Sequence, residues 1–195
     1  MQPLSYFERL IMNSYEALPD DLPKPVDDGA CDHLIGMELP RISLLATDGS
    51  LIDLSSLAKK VVIYCYPMTG KPGVPLPDGW DEIPGARGCT PQTCSYRDHH
   101  KELNSLGASV FGLSTQSTDY QQEMADRLQL PFLILSDEAF KFCESLNLPT
   151  FTVDNMRLIK RVTIIAIDGI IRHVHYPVFP SDADAAWVLG RLSEV

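Results

Sequence analysis

No stretch of this 195-residue chain reaches the roughly 18 consecutive apolar residues that a membrane-spanning helix needs. The opening, MQPLSYFERLIMNSYEALPDD, has no basic segment leading into an apolar run, so no secretory leader is expected and the cytoplasm is the default location. Basic charge is scarce: 16 Lys and Arg stand against 26 Asp and Glu, a formal net charge of -10. Such a surface repels nucleic-acid phosphates and anionic lipid over about 8 Å, so neither nucleic acid nor a membrane is an expected partner. Paired cysteines are missing too. There are five, an odd number, at Cys31, Cys65, Cys89, Cys94 and Cys143, with no C-x-x-C spacing. That excludes the framework of a small secreted domain, a zinc ribbon and an exchange centre of thioredoxin type. His99 and His100 alone are poor support for a metal, and no metal or organic cofactor is expected. Internal repeats and low-complexity tracts are also absent.

What is present fits one domain behind an appendage. Residues 1–30 read as an N-terminal helical arm and linker: Leu4, Phe7, Ile11 and Tyr15 recur at helical spacing between Leu4 and Leu18, and the proline-rich PDDLPKPVDDG follows. Residues 31–195 read as the folded domain. Within it, ISLLATDGSLID places an Asp-Gly turn between two short extended runs, a hairpin signal. Val61–Tyr66 (VVIYCY) is unbroken and apolar, as for a central strand covered on both faces, and makes Cys65 a core residue. Residues 67–88 hold too many prolines and glycines for regular structure, so a long surface loop is expected. Its Trp80 fits a packed insertion, a cover for a site or a partner surface equally well. Thr90 and Pro91 offer an N-cap and a first-turn proline for a helix through CSYRDHHKELNSL, ended by Gly107.

Beyond it come a strand in ASVFGLST and the helix TDYQQEMADRLQL, where Thr118 and Gln121 have capping-box spacing. The strand PFLIL precedes a short helix with Phe140 and Cys143 on one side. Two β-rich runs, RVTIIAI and IIRHVHYPV, are joined by Asp168-Gly169, and Ser181 is placed to cap a last helix. The alternation implies an α/β fold with a central mixed β-sheet flanked by helices, the order of a thioredoxin-like fold. Cys143 and Cys31 read as structural, and His173 and His175 as surface or pairing residues.

The chemistry concentrates in Gly88–Asp98, GCTPQTCSYRD, where Cys89 ends the loop and starts the helix. Backbone N–H groups at a helix N-terminus favour a thiolate over a thiol, and the thiolate is the form that attacks a peroxide. A nearby guanidinium would add to this; Arg87, Arg97 and Arg161 are candidates. Residues five apart on an intact helix have Cα atoms on the order of 8–9 Å apart. A disulfide tolerates about 7 Å, so coupling Cys89 to Cys94 would require the first helical turns to unwind.

These residues resemble the peroxiredoxins, most closely the Q type, also called bacterioferritin comigratory protein, whose motif is G-C-T-x-x-x-C-x-x-R-D. The similarity runs from about residue 35 to the end. It implies that Cys89 is the peroxidatic cysteine, oxidised by a hydroperoxide to a sulfenic acid. It also implies that Cys94 resolves it as an intramolecular disulfide, which thioredoxin or a similar dithiol reductant resets. The family's active-site arginine, in an R-x-[ST] context at the start of a late strand, matches Arg161-Val162-Thr163, and its proline after the first core strand matches Pro67. The family's threonine three residues before the cysteine is Ala86 here, so Thr69 or Thr90 is left to supply the hydroxyl. Residues 68–85 are an insertion relative to the common pattern. Relatives of this type are often monomers; a monomer is expected here, a dimer being the alternative. A different class of function would be a redox-responsive binding protein that uses the same cysteine pair as a switch.

Overall fold

The fold follows from how one apolar strand distributes its side chains. In a computed structural model that describes residues 18–19, 21–57 and 59–194, strand β3 (Lys60–Cys65) is central. Successive side chains of a strand face opposite ways. Val61, Ile63 and Cys65 therefore enter one core, while Val62, Tyr64 and Tyr66 enter another. Both faces are buried, which is why the run reads as unbroken. The helix expected over residues 4–18 lies, apart from its last residue, outside the described residues.

Strands β1 (Ser43–Ala46), β2 (Leu51–Asp53), β4 (Ala108–Ser114), β5 (Ile134–Ser136), β8 (Val162–Ile167) and β9 (Ile170–His175) complete a seven-stranded sheet ordered β2-β1-β5-β4-β3-β8-β9. Pairs β3·β4 and β4·β5 are parallel and the others antiparallel, giving the expected mixed sheet. Helices α1 (Cys89–Asp98), α2 (His100–Ser105), α3 (Thr118–Leu128) and α5 (Asp184–Leu192) cover the face of Tyr64; α4 (Lys141–Ser145) contributes Phe142 and Cys143 to the other. Tyr64 stacks on Tyr96 of α1 with ring centroids 4.3 Å apart, fixing that helix over the centre of the sheet. Among the described residues no helix is long and apolar enough to cross a membrane.

Several local expectations are corrected. A second hairpin, β6 (Thr150–Val153) and β7 (Met156–Ile159), precedes β8, turning through Asp154 and Asn155, both at positive φ. The single helix expected after Cys89 breaks at His99, whose ring Nδ1 lies 2.8 Å from the Ser95 carbonyl beside its own backbone N–H. Thr90 is not the N-cap: Gly88, in the left-handed region at φ 107, precedes the helix. Ser117 rather than Thr118 caps α3, its hydroxyl accepting from the Tyr120 N–H, and Gln121 turns inward to donate to the Ser114 and Leu135 carbonyls. Ser181 opens a short 3-10 turn, Ser181–Ala183, and donates to the Gly88 carbonyl instead of capping α5.

Two measurements check this packing. A Cβ at Gly112 would lie 2.6 Å from Ile134 Cδ1 and 2.7 Å from the Tyr64 hydroxyl. Gly112→Ala is therefore expected to lower unfolding stability by about 1–3 kcal/mol in urea titration, and an unchanged midpoint would contradict the tight crossing. Burial also pushes the Cys31 thiol up to about 12 and that of Cys143 up to about 11, and raises Cys65. The unfolded chain ionises them near pH 8.5, so their contribution is whole below about that pH and is lost as pH climbs toward about 11–12. The urea midpoint should fall between about pH 9 and 11, a fall that buried Tyr64, Tyr66 and Tyr96, raised in the same direction, reinforce.

Candidate active site

The register of β3 against β8 pairs Cys65 with Val162. Arg161, one residue before β8, therefore sits where β3 ends and the long loop begins. That loop is not an open flap. Trp80, only 3% exposed, packs with Ala86, Leu158, Met68, Leu76, Ile83 and Phe151, so the β6–β7 hairpin pins the loop down. Arg87 adds an ion pair with Asp81 at 3.1 Å. The loop thus delivers Gly88 and Cys89 to a fixed place. Gly88 is required there: a Cβ would come within 2.2 Å of Ser181 Oγ, at a backbone angle that other residues resist.

Cys89 is the first residue of α1 and 5% exposed. Arg161 Nη2 donates to its Sγ at 3.1 Å and also to the carbonyls of Ala86 at 3.1 Å and Arg87 at 3.2 Å. Its Nη1 donates to Gln92 Oε1, and its Nε is buried with no partner among the described residues. Of the three candidate arginines, Arg161 is brought to the sulfur; Arg87 pairs with Asp81, and Arg97 pairs with Asp98 and reaches the Leu128 carbonyl. Helix N-terminus and guanidinium converge on one sulfur, an arrangement that stabilises negative charge there and at an oxygen bound beside it.

Cys89 and Thr90 open into a cleft with Met68, Gly70, Leu76, Trp80, Arg87 and Gly88. Its free volume, about 10 Å³, admits about one water-sized group. Thr69 lies apart, its hydroxyl donating to Gln116 Oε1 at 3.3 Å, so Thr90 is the threonine on the cleft wall. Pro67 is buried just after β3 and is not among the cleft-lining residues. Cys94 is half-buried on the same helix, and no disulfide joins any of the five cysteines.

One part of the site was not foreseen. Gln92 donates from Nε2 to Asp184 Oδ2 at 2.7 Å, and the same oxygen accepts from Tyr96 Oη at 2.8 Å and Thr163 Oγ1 at 2.6 Å. Asp184 Oδ1 lies 2.8 Å from His175 Nδ1, and the imidazole stacks on Trp187. Spacing could have flagged Gln92, one helical turn after Cys89. Nothing in the local sequence marks Asp184, which reaches the site only through the fold.

Alkylation separates the cysteines. At pH 7 a thiol pushed to about 11 is only ~10⁻⁴ ionised, so Cys31, Cys65 and Cys143 should resist iodoacetamide in the folded, reduced protein. Mass mapping should find label on the α1 cysteines before Cys31, Cys65 or Cys143, and early labelling at Cys31 or Cys143 would contradict this assignment.

A family model described as Redoxin matches residues 34–189. A putative peroxiredoxin bcp of Coxiella burnetii is 31% identical over 166 residues, 81% of this chain and 97% of its own. Peroxiredoxin Bcp of Escherichia coli K12 is 31% identical over 140 residues, 69% of this chain and 80% of its own. The crystal structure of peroxidoxin BcpB from Mycobacterium tuberculosis aligns with a TM-score of 0.68 at 24% identity, over 83% of this chain and 97% of that one; it speaks to the thioredoxin-like fold. Site geometry and relatives agree: the chain belongs to the redoxin family, as a peroxiredoxin of the Bcp and Q type, a thiol peroxidase.

Proposed function

We propose that the peroxidase reaction runs through Cys89 and is resolved within the chain by Cys94. The observation that carries this reading is the 3.1 Å contact of Arg161 Nη2 with Cys89 Sγ at the start of a helix. The Cys89 thiolate attacks the terminal oxygen of a hydroperoxide. The O–O bond breaks, the sulfur takes the hydroxyl as sulfenic acid, and the leaving alkoxide or hydroxide is protonated to alcohol or water. Arg161 donates to the oxygens that gain charge as the bond breaks. Thr90, on the cleft wall, is the hydroxyl that stands in for the threonine replaced by Ala86. Pro67, buried at the end of β3, shapes the backbone that leads into the loop and keeps water from the thiolate. The narrow cleft admits the hydroperoxide head and leaves any organic tail outside.

Cys94 then attacks the sulfenic sulfur, water leaves and a disulfide forms. Both cysteines lie on α1, where their Cα atoms are on the order of 8–9 Å apart, so the helix start must unwind first. A dithiol donor such as thioredoxin takes up the disulfide by exchange and restores both thiols. The protein works as a cytoplasmic monomer, and residues 31–195 form the catalytic domain.

Stopped-flow oxidation of the reduced protein by hydrogen peroxide tests the scheme. Cys89→Ser should abolish the fast phase. Cys94→Ser should keep it and accumulate sulfenic acid, and Arg161→Met should slow it by about 10²–10³-fold, as loss of a transition-state donor does. Fast oxidation without Cys89 would overturn the assignment. Normal oxidation with negligible turnover on any dithiol donor would favour the redox-switch reading.

A further inference from the structure

We infer that Asp184 is a positioning residue for the peroxidase reaction, holding Arg161 against Cys89 through the Gln92 amide. The inference rests on the reading of Cys89 and Arg161 as the reacting pair, and goes beyond it to a residue on the last helix.

The argument begins with polarity. A guanidinium can only donate hydrogen bonds and a carboxylate can only accept them. An amide between the two has one compatible orientation, NH₂ toward the carboxylate and C=O toward the guanidinium. Gln92 is placed this way, with Nε2 2.7 Å from Asp184 Oδ2 and Oε1 accepting from Arg161 Nη1. Asp184 therefore sets which end of the amide faces the arginine. A Gln92 without that acceptor could turn its NH₂ toward Arg161, where two donors would meet.

Arg161 depends on this support more than a buried arginine usually does. Among the described residues its Nε has no partner, and the guanidinium is held at its far end, by Gln92 on Nη1 and by two carbonyls and Sγ on Nη2. Asp184 is itself fully buried and over-determined: Tyr96, Thr163 and His175 bond to it as well as Gln92. Four contacts from three elements (α1, β8 and β9) leave the carboxylate a single position.

The interposed amide also matters electrostatically. A carboxylate bonded directly to Arg161 would compete with the thiolate for the guanidinium. One amide removed, Asp184 orients the arginine and leaves its charge for the sulfur and the peroxide oxygens.

The test uses the full-length reduced protein and the second-order rate of its oxidation by hydrogen peroxide, with urea unfolding as control. Asp184→Leu fills the space but cannot accept, and should slow oxidation by on the order of 10- to 100-fold, the cost of a misplaced catalytic group. Asp184→Asn can turn its carbonyl to Gln92 and its amide to His175, and should recover most of that loss. Gln92→Met should match Asp184→Leu, and the double variant should be no slower than the slower single one, because both break the same link. If Asp184→Leu lacks a cooperative unfolding transition, Asp184→Ala replaces it with the same expectation. Oxidation at the wild-type rate in the Leu or Ala variant would overturn the inference, as would rates in the Leu and Asn variants that simply track lost stability. Arg161→Met separates the two levels: if it too oxidises at the wild-type rate, the reading of the reacting pair has failed rather than the link to Asp184.

Discussion

A guanidinium taken out of water has to be compensated by what surrounds it. Arg161 is 3% exposed, and a buried charge without partners costs several kcal/mol even after relaxation. Its contacts are two backbone carbonyls, an amide oxygen and the sulfur of Cys89. The sulfur is the member of that set able to carry a full negative charge. The surrounding architecture serves this one contact. The β3·β8 register sets the arginine's height, the pinned loop brings the Ala86 and Arg87 carbonyls to it, and the left-handed Gly88 turns the chain so that a helix begins at the cysteine.

Seen from that contact, the loop at residues 68–85 is a structural part of the site. Met68, Gly70, Leu76 and Trp80 form most of the wall in front of the sulfur, and Trp80 is held by Phe151 and Leu158 of the β6–β7 hairpin. Loop and hairpin support each other, because Trp80, Met68, Leu76 and Ile83 of the one share a cluster with Phe151, Val153 and Leu158 of the other. The result is a narrow cleft beside the sulfur with room for about one water-sized group.

Much of this was legible in the sequence, and the reason differs with the residue. The central strand showed itself because both its faces are apolar, and the junction at Cys89 because prolines and glycines stop there and helical spacing begins. Arg161 was singled out by its resemblance context, not by any periodicity. The β6–β7 hairpin was missed because its turn is Asp-Asn rather than a glycine pair, with φ values of 46 and 61 carried by residues that tolerate them less well than glycine. The helix starts differ from expectation for separate reasons: Gly88 in the left-handed region precedes α1, and Ser117, one residue before Thr118, supplies the α3 cap. Tertiary partners override spacing at two positions: Ser181 is claimed by the Gly88 carbonyl, and the Gln121 amide by the carbonyls of Ser114 and Leu135. Asp184 was invisible because its four partners come from residues 92, 96, 163 and 175, far apart in the chain.

The same contacts that assemble the site oppose the proposed second half of the cycle. Unwinding the start of α1 means breaking the Ser181 bond to Gly88 and the Gln92 and Tyr96 bonds to Asp184. At about 1 kcal/mol for the neutral bond and 1.5–3 for each bond to a carboxylate, the sum is roughly 4–7 kcal/mol, so the unwound form is a rare fluctuation of the reduced enzyme. In the proposed cycle, oxidation of the sulfur would change that balance at the step where it has to change. On the proposed scheme a thiolate facing Arg161 would give way to a neutral sulfenic acid once the sulfur took up oxygen, and the folded helix would lose one of the reasons to stay closed. In the proposed cycle, then, one contact serves both halves: a charge on the sulfur would hold the helix start closed against Arg161, and the oxidation that consumes it would loosen that hold and let Cys94 reach the opened form.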